Sequence, residues 1–150
     1  MKKVLFSLLI VVFGLNVSAQ LTDPVQWTFV ATKKSDKLYE VNFTAVLPKP
    51  WHIYSQTTPK GGPVATNISF KANPVVKLDG SVKEDGKLEV IHDENFGLDV
   101  KYYSDKVVFT QTVKLKTSVK TNLTGTVEYM VCNDTKCLPP KKLPFSVQLQ

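Results

Sequence analysis

The chain has 150 residues, with 19 basic against 13 acidic side chains and a formal net charge of +6. Every basic residue is lysine, and the lysines are scattered among acids; nucleic-acid and phosphate sites favour the bidentate fork of arginine, so the charge describes a solvated surface and excludes nucleic acid as a partner. The chain has only two cysteines, Cys132 and Cys137, and they fall in one short stretch near the C-terminus.

Met1-Lys2-Lys3, an apolar run over residues 4–15 and Asn16-Val17-Ser18-Ala19 read as the three regions of a secretory signal peptide. Val17 and Ala19 stand where a signal peptidase reads the chain, and the apolar run is short for a bilayer span. No cysteine follows Ala19 to carry a lipid anchor. Cleavage is expected after Ala19, so residues 1–19 are a signal peptide and 150 − 19 = 131 residues remain. Loss of Lys2 and Lys3 lowers the net charge from +6 to +4. Residues 20–150 fit one domain, large enough to hold a core without disulfides and with no stable membrane insertion. Export places it in the periplasm or outside the cell, where disulfides persist.

The mature chain shows no 3.6-residue periodicity of helical length. Val25, Trp27 and Phe29 alternate as a first strand, and Lys33-Lys34-Ser35-Asp36-Lys37 reads as a polar turn. Tyr39, Val41, Phe43, Ala45 and Leu47 alternate with polar neighbours as a long second strand, ended by Pro48 and Pro50. Trp51-His52-Ile53-Tyr54 is a short aromatic run. Gly61-Gly62-Pro63 makes residues 56–65 a loop. Short strands are expected at 67–71, 75–78 and 87–91, with turns at Asp79-Gly80 and Asp85-Gly86. His92-Asp93-Glu94-Asn95-Phe96-Gly97 reads as a loop carrying two acids and an aromatic. Tyr102 and Tyr103 precede Ser104-Asp105, and Val107, Phe109, Val113 and Leu115 then share one face of a long strand ending near Lys116. Val127, Tyr129 and Val131 alternate over 126–132, and Leu143, Phe145, Val147 and Leu149 alternate again, so the last two strands form a hairpin with the cysteines at its mouth. Seven to nine such strands predict an all-β, immunoglobulin-like β-sandwich without the cross-sheet cysteine pattern of antibody domains.

Four residues separate the cysteines, so a disulfide is sterically possible if the loop folds back. As a staple, so short a loop is worth roughly 2 kcal/mol, against about 4 for a bridge across some 60 residues. A redox pair is the reading this arithmetic favours, because closely spaced cysteines can open and close without unfolding a domain. The alternative is a non-enzymatic binding or adhesion module with a structural hairpin disulfide. Two sulfurs without two further ligands nearby do not make a zinc site, and neither a metal nor a cofactor is expected.

Three segments together resemble one family. Cys132…Cys137-Leu138-Pro139-Pro140, Trp51-His52-Ile53-Tyr54 and Asp93-Glu94-Asn95-Phe96-Gly97 resemble the N-terminal periplasmic domain of the thiol:disulfide interchange protein DsbD, in order and spacing over nearly the whole mature chain. The cysteine element before Pro-Pro is the most specific of the three. The resemblance implies a sandwich whose hairpin carries a redox disulfide. The expected activity is that of a protein-disulfide oxidoreductase or electron-relay domain, a monomer whose partners are thioredoxin-like proteins and a membrane electron donor. It implies that Cys137 forms the mixed disulfides and that Cys132 resolves them. Asp93, Glu94, Asn95 and Phe96 would then cap the sulfurs, with His52 and Tyr54 flanking them. This chain departs from the pattern in a cysteine spacing shorter by one residue, in Asn95 between the acids and Phe96, and in His52 where a tyrosine is usual. The membrane channel and thioredoxin-like domain that usually accompany the domain would be separate proteins.

Carboxylates of Asp93 and Glu94 over Cys137 would disfavour its thiolate, holding the dithiol quiet until a partner moves the loop. Lys136, beside Cys137, would act oppositely. His52 could shuttle a proton, and Tyr54 could wall the site.

Overall fold

The computed structural model describes residues 23–149 except Asn95. The expected signal peptide and its cleavage point lie outside the described residues. Nine strands follow in order: β1 Gln26–Ser35, β2 Leu38–Val46, β3 His52–Tyr54, β4 Asn67–Phe70, β5 Val76–Asp93, β6 Leu98–Leu115, β7 Thr121–Tyr129, β8 Val131–Cys132 and β9 Lys141–Leu149. No helix occurs among the described residues.

Period-2 alternation sets the layers. Tyr39, Val41, Phe43 and Ala45 of β2 are buried while the residues between them are not. β2 lies antiparallel to β1, with Phe29 opposite Phe43, and antiparallel to β6, with Phe43 opposite Phe109. β6 is the spine of a six-stranded sheet. Its C-terminal part pairs with β2 and its N-terminal part with β3, while β5 runs along its other side. β4, β7 and β9 make the second, three-stranded sheet. The two sheets form an immunoglobulin-like β-sandwich. Between them Phe43 meets Phe145 edge-on with ring centres 4.8 Å apart, and Trp27 lies 5.3 Å from Tyr129 and 5.9 Å from Phe109. Each fully buried side chain of this size stabilises the fold by roughly 1.5–3 kcal/mol. Gly125 is required where β7 passes between its neighbours β4 and β9. A Cβ there would lie 2.0 Å from the Ser69 carbonyl oxygen and 2.6 Å from the Phe145 ring.

Several expected elements differ. The strand expected over 126–132 breaks at Met130. β7 pairs with β9 in the second sheet, whereas β8 crosses to the first and pairs with β3. Both cysteines lie in the connection that follows the last β7–β9 pair, Tyr129 with Lys141, but Cys132 does not end the hairpin strand: it belongs to β8, in the other sheet. The two short strands expected at 75–78 and 87–91 are one strand, β5. The expected turns at Asp79-Gly80 and Asp85-Gly86 fall instead at two register shifts, between Asp79 and Lys83 and between Gly86 and Leu88. The first shift is filled from within. The buried Gln111 amide donates to the carbonyls of Asp79 and Gly80 at 3.2 and 3.3 Å, so the chain bulges and continues. β6 runs from Leu98 through Ser104-Asp105 to Leu115 as one strand, beginning ahead of the expected one. Asp105 takes a φ of 62° there, and its carbonyl accepts the Leu47 amide at 2.8 Å.

Candidate functional site

Strand alternation separates two faces at one end of the first sheet. Ile53, Tyr103 and Val131 point into the main core, with 0, 3 and 3% exposure. Their sequence neighbours point the other way. His52 stands opposite Ser104 on β6 and opposite Cys132 on β8, and Tyr54 stands opposite Tyr102. Tyr54, Val100 and Cys132 form a small second cluster of buried residues, with Leu98, Tyr102 and Met130 packed against it. Met130 also accepts the Val64 amide on its sulfur at 3.4 Å.

Beyond β8 the chain turns back on itself. Cys132 and Cys137 face each other in an isolated antiparallel bridge and are joined by a disulfide, with Cα atoms 4.0 Å apart. Asn133 N donates to the Lys136 carbonyl, and Leu138 N to the Val131 carbonyl, both at 2.9 Å. The Asn133 side chain closes the turn. Its Oδ1 accepts the Thr135 amide at 3.0 Å, the Thr135 hydroxyl at 3.0 Å and the Lys136 amide at 2.9 Å. This is the Asx geometry that makes asparagine a turn residue. Leu138 is packed against the main core, so both arms of the loop are anchored. The two sulfurs are left in different environments: Cys132 is 2% exposed, and Cys137 is exposed.

The opposite wall comes from the β5–β6 hairpin. β5 continues through His92 and Asp93, which pair with Asp99 and Leu98, so the expected loop is reduced to a tip at residues 94–97. Gly97, with a φ of 64°, donates its amide to the Asp93 carbonyl at 2.7 Å and closes that tip. Between the tip, β3 and the cysteine loop lies a cleft of about 630 Å³. Its lining includes Cys132, Cys137, His52, Tyr54, Asp93, Glu94 and Phe96. Phe96 is 36% exposed, with neither a core position nor full exposure to solvent. Asn95 lies outside the described residues.

The cleft also contains residues that the sequence did not single out as site residues. Tyr102 stacks beside His52 with ring centres 4.5 Å apart, and Asp134 and Asn133 enter from the cysteine loop. Only the strand register reveals Tyr102, because its neighbour Tyr103 turns into the core. The electrostatics are set by burial and by acids. Burial lowers the His52 pKa below its usual 6.5, while Asp134, Glu89 and Asp93 act in the opposite direction. Burial, then the charge of Asp93 and the neighbouring Tyr102, push the Tyr54 phenol up to about 12. Tyr102 is raised as well, by burial and by its hydrogen bond to Glu89. Both phenols therefore stay protonated and can act only as hydrogen-bond partners and walls at neutral pH. Among the described residues no group of three or more His, Cys, Asp or Glu is placed to hold a metal ion.

The arrangement combines an exposed cysteine, a buried cysteine bonded to it, and acidic and aromatic side chains lining the same cleft. It can support thiol–disulfide exchange, in which an incoming thiolate attacks the sulfur of the exposed cysteine and that of the buried one leaves.

Known proteins resemble the chain in fold and in sequence pattern. The N-terminal periplasmic domain of ScsB from Proteus mirabilis superposes with a TM-score of 0.58, at 22% identity over 85% of this chain and 47% of that one. The chain thus spans about half the length of that structure. The reduced N-terminal domain of DsbD from Neisseria meningitidis superposes with a TM-score of 0.50, at 18% identity over 79% of this chain and 82% of that one. At such identities these likenesses speak for the fold. No curated protein sequence matches the chain. A family model described as thiol:disulfide interchange protein DsbD, N-terminal, matches residues 18–149. That match takes in the cysteine loop, the hairpin tip and β3 alike, and the chain belongs to this family.

Proposed function

We propose that the domain relays reducing equivalents through the Cys132–Cys137 pair. Electrons would pass from a membrane or thioredoxin-like donor to periplasmic oxidoreductases. The observation that carries the reading is the asymmetry of the pair, with Cys137 exposed on an anchored loop and its partner Cys132 2% exposed. A reduced Cys137 thiolate attacks a partner disulfide and displaces one partner thiolate. Cys132 then attacks Cys137 Sγ, restores the internal disulfide and releases the second partner thiolate. Two electrons and two protons leave the domain in all. Asp93, Glu94 and Phe96 act as a cap that a partner displaces, with Asn95 in the same segment, while His52 and Tyr54 flank the sulfurs.

The same reading places the domain outside the cytoplasm, as residues 20–150 after removal of a signal peptide at residues 1–19. Its family membership supports this, as does the periplasmic location named for the ScsB domain. No helix among the described residues is long and apolar enough to cross a membrane.

Trapping tests the assignment of roles. Cys132→Ser should accumulate a covalent complex through Cys137 with a thioredoxin-like protein, and Cys137→Ser should trap little. Equal trapping by both, or trapping by Cys137→Ser alone, would reverse or remove the assignment.

A further inference from the structure

We propose that His52 is the base that takes the proton of the Cys132 thiol when Cys132 resolves a mixed disulfide on Cys137. The inference rests on the exchange function proposed above and adds a residue to its second step. Cys132 presents the difficulty. It is 2% exposed and packed with Tyr54 and Val100, an environment that opposes thiolate formation. Water reaches it poorly, so its proton needs an acceptor inside the cleft.

His52 occupies the required place. It is the residue directly opposite Cys132 in the β3–β8 ladder, and both line the same cleft. Residues so paired carry Cβ atoms about 4.5–5.5 Å apart on one face of the sheet. The ring is held on two sides, edge-on to Tyr54 with centres 5.4 Å apart and beside Tyr102. Its Nε2 lies 3.4 Å from the Tyr54 hydroxyl.

The charges around the ring suit a base that must be neutral before the transfer and stabilised after it. Burial favours neutral imidazole. Glu89 and Asp93 from β5 and Asp134 from the cysteine loop favour the imidazolium once it forms. Tyr54 and Tyr102 remain protonated. His92, Glu94 and Lys136 complete the charged and titratable lining of the cleft. In the step itself, the Cys132 S–H bond breaks and its proton passes to His52. The Cys132 thiolate forms a bond to Cys137 Sγ while the bond from Cys137 to the partner sulfur breaks. The departing partner thiolate carries the electron pair and is protonated by the imidazolium or by solvent.

The test uses the reduced mature protein and glutathione disulfide, with acid-quenched mass spectrometry resolving two events. One is formation of the Cys137–glutathione mixed disulfide, and the other is its conversion to the internal disulfide. In the wild type, the conversion rate should rise as His52 loses its proton and then level off towards neutral pH. In His52→Gln and His52→Asn, which keep polarity but cannot take the proton, conversion at neutral pH should fall about 10²-fold. It should also lose its plateau and climb about tenfold per pH unit as free thiolate becomes the only route. Formation of the mixed disulfide should fall far less than its conversion, so that the ratio of the two rates drops in both variants. Variants that convert at the wild-type rate with the wild-type pH profile would overturn the role of His52 and leave the exchange function standing. A wild-type protein that forms no mixed disulfide would overturn both.

Discussion

Val131 and Cys132 are adjacent in sequence and belong to different cores. Val131 is packed between the two sheets, whereas Cys132 lies in the small cluster on the other face of the first sheet. The β8 strand is therefore anchored by Val131 and by its pairing with β3, independently of the disulfide. Replacing both cysteines by serine should leave a cooperative unfolding transition and β-type circular dichroism, at a cost of roughly 2 kcal/mol in chemical denaturation. An unfolded double variant would assign the bond a structural purpose.

Asn133 holds the cysteine loop through three hydrogen bonds on one oxygen. Asn133→Ala should loosen the turn, lower the effective concentration of one thiol at the other, and make the disulfide easier to reduce. A loss of about 1 kcal/mol would raise the reduction potential by about 20 mV. Equilibration of the variant and the wild type in the same thiol buffer measures the difference directly.

The fold class was legible because burial follows alternation so closely. Tyr39, Val41, Phe43 and Ala45 announce β2, and Val127, Tyr129 and Val131 announce a strand whose three members are all buried. The switch between sheets at Met130 was not legible, because the alternation continues through it. What changes there is the pairing partner, and pairing leaves no mark on a single sequence. Asp79-Gly80 reads as a turn because Gly80 does adopt a positive φ of 73°. The long-range amide of Gln111 converts that turn into a bulge within a continuous strand. The cleft was legible as three separate motifs, and the strand register joins them. Tyr102 and Asp134 escaped because neither carries a motif, and the two meet His52 only through register and a folded loop.

Phe96 lines the cleft opposite the sulfurs with about a third of its surface exposed, at a hairpin tip. Phe96→Ala should speed alkylation of the reduced protein by a bulky thiol reagent, with little effect on a small one. Equal rates for the bulky reagent in variant and wild type, with the fold intact, would remove Phe96 from any lid.

Asp23 ties the start of the described chain to the second sheet. It accepts hydrogen bonds from the Tyr129 hydroxyl and, at 2.7 Å, from Lys141 Nζ. Burial raises its pKa, but Lys141, Tyr129 and the Val25 amide together outweigh burial and lower it below the usual 3.8. A carboxylate depressed in the folded state adds stability that is fully present above its unfolded value, and that is lost as pH falls through the folded one. Asp23→Asn should therefore lower stability at neutral pH by about 0.5–1 kcal/mol, since Lys141 is half exposed and solvent screens the pair. It should also flatten the fall in stability below about pH 4. Urea denaturation of both proteins across the acid range tests the sign as well as the size.

The central claim is that the Cys132–Cys137 bond opens and closes in use. Its most direct test is a redox titration of the purified domain in thiol–disulfide buffers, reading the fraction of alkylatable cysteine by mass. A relay pair should titrate reversibly at a potential above about −300 mV, within reach of periplasmic exchange partners. A bond that resists reduction until well below about −300 mV, as structural bridges do, would contradict the account.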